Sequence, residues 1–250
     1  MFPIRDTIRS RSFPIVTYTL IAVNVFVFLL SISLGSNVFN QIVGVLGLVP
    51  AEITPARPFG LLTLVSAMFL HGGWFHLISN MWILFIFGDN VEDRMGRKRY
   101  LFFYMLSGIM AGVAYTSVIT LFYGAGSTAF QTPTIGASGA IAGILGAYFV
   151  MYPRARVTTL IPLFIFPWFI DIPAALFIGV WFLSQLSSGL ISLGAQVAFG
   201  GIAWWAHIGG FLVGVLLGRL FVPPTPKRPL LYAHPSPDGG VWYTIQQQDR

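Results

Sequence analysis

Cysteine is absent from all 250 residues of the chain. That excludes disulfides, thiolate chemistry and cysteine metal sites, so any nucleophile must be an oxygen or a nitrogen. Charge is almost as scarce, with 9% of residues Asp, Glu, Lys or Arg against about a quarter in soluble domains. Histidine occurs only as His71, His76, His207 and His234. There is no HExxH pattern, and His71 and His76 fit one helix face poorly, so no metal and no other cofactor is expected. What fills the chain is apolar: 56% is hydrophobic, much of it in uncharged stretches long enough to span a bilayer. That is the composition of a polytopic membrane protein. Its net charge of +6 would suggest nucleic acid in a soluble chain. Here the cations cluster beside apolar stretches, where orientation in the bilayer explains them and no nucleic-acid partner is needed.

Six spans are expected. Residues 1 to 12 carry Arg5, Arg9 and Arg11 and form a cytoplasmic N-terminus; the uncharged run from 14 to 33 exceeds a signal-peptide core and is a retained first helix. Residues 59 to 88 hold no charge, too long a run for one span, and His71-Gly72-Gly73 interrupts them. They divide into an embedded outer piece up to 70 and a second helix from 73 to 87. The charge-dense stretch from 89 to 99 is expected as a solvated turn. A third helix covers 100 to 122, and a fourth, rich in Gly and Ala, covers 135 to 151. Residues 157 to 170, broken by Pro162 and Pro167 and short for a span, are placed at the interface. A fifth helix covers 172 to 191 and a sixth 203 to 221, with the glycine-rich stretch from 189 to 201 between them as a candidate lid. The fold class is therefore an all-α membrane protein, a six-helix bundle over 13 to 222, followed by a proline-rich tail over 223 to 250 without fixed structure. Alternation of positive loops supports the count: of fourteen Lys and Arg residues only Arg57 falls on the wrong side.

This topology gives each buried polar residue a depth. Gly136-Ala137-Ser138-Gly139-Ala140 opens the fourth helix, so the Ser138 hydroxyl lies by backbone N–H groups that have no helical partner and favour negative charge. His76 and Asn80, four apart on one face, sit at the outer end of the second helix, and His207 lies about one turn into the sixth. All four reach one level beneath the outer surface. Ionisable residues in a span are costly and usually functional. Gly139 and Gly143 on the fourth helix, and Gly210, Gly214 and Gly218 on the sixth, allow close backbone approach and would set Ser138 beside His207. The chemistry that fits is acyl transfer. His207 accepts the Ser138 proton, Ser138 attacks a carbonyl, and the oxyanion is held by the Ser138 N–H, His76 and Asn80. No carboxylate falls in the outer half of any span, so the expected constellation is a dyad.

At this point the chain resembles the rhomboid family of intramembrane serine proteases. The likeness covers roughly 13 to 222 and rests on His71-Gly72-Gly73-Trp74-Phe75-His76-Leu77-Ile78-Ser79-Asn80, Gly88-Asp89-Asn90-Val91-Glu92-Asp93, Gly136-Ala137-Ser138-Gly139 and Ala206-His207-Ile208-Gly209-Gly210 with Gly214. The resemblance implies Ser138 as nucleophile, His207 as base, His76 and Asn80 as oxyanion donors, and transmembrane proteins as substrates, cut near their extracytoplasmic ends. One departure is in the first loop, where Phe59-Gly60-Leu61-Leu62-Thr63 stands in place of the Trp-Arg pair of many relatives. The compact form resembles prokaryotic members and suggests a plasma (inner) membrane location. Two other classes compete: an inactive relative that binds membrane helices, which should lack the serine or the histidine, and a transporter, which should show paired broken helices.

Overall fold

Uncharged stretches of this length satisfy their backbone groups in hydrocarbon only as helices or closed barrels. The computed structural model describes residues 2–54, 56–163, 166–195, 203–224, 230–235 and 241–246. Among these the order is β1 (Phe2–Asp6), α1 (Ile15–Ser33), α2 (Ser36–Leu46), α3 (Pro58–Ser66), α4 (Trp74–Met95), α5 (Arg97–Val118), α6 (Thr128–Gln131), α7 (Ser138–Met151), β2 (Arg156–Leu163), β3 (Phe166–Pro173), α8 (Ala174–Ala195), α9 (Trp204–Leu217), β4 (Leu230–Pro235) and β5 (Val241–Gln246). The six segments expected as spans correspond to α1, α4, α5, α7, α8 and α9. Of these, α1, α8, α5 continued to Tyr123 and α9 continued to Phe221 are long and apolar enough to cross a bilayer, and the pair α3 and α4, bent by 81° at the His71-Gly72-Gly73 break, adds a fifth. The departure from the family pattern at residues 59 to 63 falls inside α3, which Pro58 starts at a position where its missing N–H costs nothing.

The sixth segment, α7, has 14 residues and so rises about 21 Å, short of the roughly 30 Å of hydrocarbon. It is nonetheless the middle of the molecule, packed by α4, α5 and α9, with Ala142, Ile144, Ala147 and Tyr148 completely buried. Its start, at Ser138, lies beneath a cleft. Helices α7 and α9 approach to backbone contact and run parallel. A Cβ placed on Gly210 would lie 2.0 Å from the Gly139 carbonyl oxygen, and one on Gly214 would lie 2.1 Å from that of Gly143. The constant offset between the paired residues fixes both direction and register.

Three features differ from the sequence expectations. The stretch from 89 to 99 is a solvated turn only at its end, around Gly96 and the exposed Arg97, Lys98 and Arg99. Helix α4 continues through it to Met95, where Gly96 at φ 79° ends it and α5 follows at once. Glu92 is 2% exposed and accepts hydrogen bonds from Val16 N–H (3.0 Å), Thr17 N–H (2.8 Å) and the Thr17 hydroxyl (2.8 Å). A carboxylate from α4 thus caps the N-terminus of α1, whose own preceding residue is Pro14 and offers no capping side chain. Second, the helical bundle is joined by a small antiparallel sheet. The interfacial segment from 157 to 170 is a hairpin of β2 and β3, and β1 adds to β2 from the N-terminus. Asp171 is on β3, where it accepts from the Thr158 hydroxyl, and residue 172, expected to open the fifth helix, is on the same strand. Third, the tail carries the hairpin β4–β5 where no fixed structure was expected. Of the candidate lid, residues 189 to 195 continue α8, and the stretch from 196 to 201 lies outside the described residues.

On the face away from the start of α7, β1 is tied to the bundle by polar side chains. Asp6 accepts from the Tyr148 hydroxyl and from Asn90 Nδ2 at 2.8 Å. Trp82 Nε1 donates to the Pro3 carbonyl at 2.7 Å. Burial, reinforced by the charge of nearby Asp89 and opposed by the Tyr148 hydrogen bond, pushes the Asp6 carboxyl up to about 6.

Candidate active site

Helices α4, α7 and α9 all begin at the same place, and the four residues expected to converge lie in their first two turns. Ser138 is the first residue of α7, His207 the fourth of α9, and His76 and Asn80 the third and seventh of α4. The parallel register of α7 and α9 brings the Ser138 hydroxyl to 2.8 Å from His207 Nε2. A hydroxyl is the donor in such a pair when the imidazole is neutral.

The turn before α7 shapes the approach. Gly136 has φ 129°, and its N–H donates to the Ala67 carbonyl at 2.8 Å. An added side chain would be strained twice over, because a Cβ would sit 2.7 Å from His76 Nε2 and 3.7 Å from Ser138 Oγ. Glycine therefore leaves open the space that both groups border. The Gly72 N–H points at His76 Nδ1 at 3.4 Å, a long contact that favours a lone pair there and the ring proton on Nε2, toward the same space.

Asn80 is 7% exposed, and its Nδ2 finds no acceptor among the described residues. A buried amide donor left unpaired costs about 1–3 kcal/mol, so its orphan state at this point requires a reason. His71 is also buried, its ring 5.0 Å from that of His76 at 63°. It packs behind His76 rather than joining the pair. A cleft of about 790 Å³ opens over these groups, bordered by Ser138, His207, His76, Asn80 and Trp181.

One contact was not anticipated. His207 Nδ1 lies 2.7 Å from Oε1 of Gln185 on α8. The available signal was a single long amide in a helix without charge, a costly side chain to place there. With no carboxylate at this level a neutral group had to orient the ring, and nothing in the sequence singled out this amide.

Helices packed around a serine and a histidine beneath a cleft define a multi-helix membrane protein with these two side chains in hydrogen-bond contact. Known proteins give that class a family. A family model described as Rhomboid domain matches residues 58–224, more than half of the chain. Rhomboid protein 1, mitochondrial, of Saccharomyces cerevisiae is 31% identical over 158 residues, 63% of this chain and 41% of that protein. RHOMBOID-like protein 6, mitochondrial, of Arabidopsis thaliana is 30% identical over 64% of this chain and 43% of its own length. Human Presenilin-associated rhomboid-like protein, mitochondrial, is 24% identical over 73% of this chain and 42% of its own length. The chain belongs to the rhomboid family, whose members are in general intramembrane serine proteases. The matches span about two-fifths of the length of these relatives. The expected prokaryotic plasma-membrane location is corrected by them: these three are eukaryotic proteins named as mitochondrial. Compactness of the membrane domain carries no information about the compartment, which is why the sequence reading failed there.

Proposed function

We propose that the protein is an intramembrane serine endopeptidase that cuts transmembrane substrate helices near the end lying on the face where α4, α7 and α9 begin. Ser138 is the nucleophile and His207 the general base that takes its proton and later returns it to the leaving amine. The tetrahedral oxyanion is held by the unpartnered N–H groups at the start of α7, by His76 Nε2–H and by Asn80 Nδ2. The observation that carries this reading is the 2.8 Å contact between Ser138 Oγ and His207 Nε2 beneath the cleft, where two parallel helices begin. It is supported by the orphan Asn80 donor beside it, which an oxyanion would satisfy. No cofactor takes part in this chemistry.

The position beneath the cleft has a chemical consequence. A peptide bond inside a helix is screened by its own turns, so the substrate must unwind locally before its carbonyl reaches Ser138. Helix-breaking or small residues near the cut follow from that requirement. A fluorophosphonate probe tests the nucleophile: it should label the wild-type chain and spare Ser138→Ala. Equal labelling of the two would exclude Ser138.

A further inference from the structure

The pair of Ser138 and His207 has a third partner. We propose that Gln185 is a positioning residue that selects the working tautomer of His207, an inference that rests on the dyad reading above. The amide oxygen of glutamine only accepts, so at 2.7 Å from Oε1 the His207 Nδ1 must carry the proton. The neutral ring then presents a bare lone pair at Nε2, which is the atom facing the Ser138 hydroxyl at 2.8 Å. In the opposite tautomer two lone pairs would meet at Gln185, and Nε2–H would donate to the Ser138 oxygen, leaving no base for the hydroxyl proton.

The neighbouring residue favours this orientation of the amide over the flipped one. Ser184 Oγ donates its one proton to the Trp181 carbonyl at 2.6 Å, leaving only lone pairs for Gln185. Gln185 Nε2, 3.0 Å from that oxygen, must therefore be the donor, which turns Oε1 toward His207. A flipped amide would have to draw the Ser184 proton away from the Trp181 carbonyl, giving up that 2.6 Å hydrogen bond. Gln185 is 6% exposed, and the aromatic rings of Trp181 and Trp204 lie 6.1 and 6.4 Å from the imidazole. The orienting dipole thus acts in surroundings of low polarity, where it is strong.

An amide in this position also differs from a carboxylate in kind. A buried carboxylate would carry a large desolvation cost and would favour a protonated ring at rest. The amide orients the ring without making the resting imidazole cationic, which keeps the base available to lower pH. Its oxygen still accepts from Nδ1–H when the ring takes the serine proton.

The test compares the full-length chain, wild type, Gln185→Met and Gln185→Glu, in detergent or vesicles. The rate of fluorophosphonate labelling is measured across pH, with thermal unfolding as a control. Gln185→Met keeps the volume and removes the acceptor, and should slow labelling at pH 7 by about 10²-fold, since a mis-set tautomer alone costs up to ~10⁴ in serine hydrolases. Gln185→Glu keeps the acceptor and adds charge, so it should label at alkaline pH while the acid limb of its profile moves up by about one unit or more. A Gln185→Met chain that labels at the wild-type rate overturns the inference. So does a Gln185→Glu profile whose acid limb stays in place, which decides the matter if the Met variant fails to fold. Failure of the wild type itself to label would instead remove the dyad reading and the inference with it.

Discussion

Gly210→Ala adds one methyl group at the contact between α7 and α9, and its consequence can be worked from the coordinates. The new Cβ would lie 2.0 Å from the Gly139 carbonyl oxygen, where ordinary contact begins at 3.4 Å. Backbone on both sides leaves no flexible side chain to give way, so the helices must part by about 1.4 Å. His207 is three residues before Gly210, less than one helical turn away, and a rigid displacement of α9 by this amount would carry Nε2 from 2.8 Å to at most about 4.2 Å from Ser138 Oγ. Overpacking of this kind costs about 1–3 kcal/mol of stability. A misplacement of about 1 Å at reacting groups costs about 10²-fold in rate. The expected result is a chain that still folds, with a lowered midpoint of thermal unfolding in detergent, and labels with a fluorophosphonate about 100-fold more slowly. A variant that labels and unfolds like the wild type would refute the claim that glycine packing sets the serine–histidine distance.

Three further outcomes follow from particular contacts. Asn80→Ala should lower kcat by about 10²–10³ with little change in KM, since an oxyanion donor acts in the transition state; an unchanged kcat in a peptide-cleavage assay would take Asn80 out of the mechanism. Glu92→Ala leaves the Val16 and Thr17 N–H groups at the start of α1 without their acceptor and should cost about 3 kcal/mol in unfolding stability, and a change under 1 kcal/mol would show that water replaces the cap. The Asp6 carboxyl is raised from 3.8 to about 6 by burial, so the folded chain holds its proton to higher pH than the unfolded one. Its contribution to stability is therefore full below about pH 4, falls as pH rises through about 6, and is level above. Hydrogen exchange of the β1 amides should slow as pH drops across that window, after correction for intrinsic exchange, and Asp6→Asn should abolish the slope; an equal slope in both chains would assign it elsewhere.

The spans and the candidate site were legible for the same reason: in a chain with so few polar residues per span, each buried one is informative. His76, Asn80, Ser138 and His207 share a depth that the positive-loop pattern alone could assign, and Gly210 and Gly214 gave the register that joins two of them. What escaped were features defined by partners distant in sequence. Glu92 sits in a charge-dense stretch, and only the approach of α1 makes it a buried cap. The β2–β3 hairpin escaped because residues 157 to 170 are apolar without alternation and contain two prolines, and its third strand lies some 150 residues away at the N-terminus. Gln185 escaped because an amide carries no chemistry of its own until an imidazole is set against it.

The central claim is that Ser138, activated by His207, breaks a peptide bond in a membrane-spanning segment. Mass spectrometry of a panel of transmembrane peptides incubated in vesicles with the wild-type chain, Ser138→Ala and His207→Ala tests it most directly. Discrete products should come from the wild type alone, with the cut near the substrate end on the face of the cleft. Intact peptides throughout the panel, or the same products from Ser138→Ala, would contradict it.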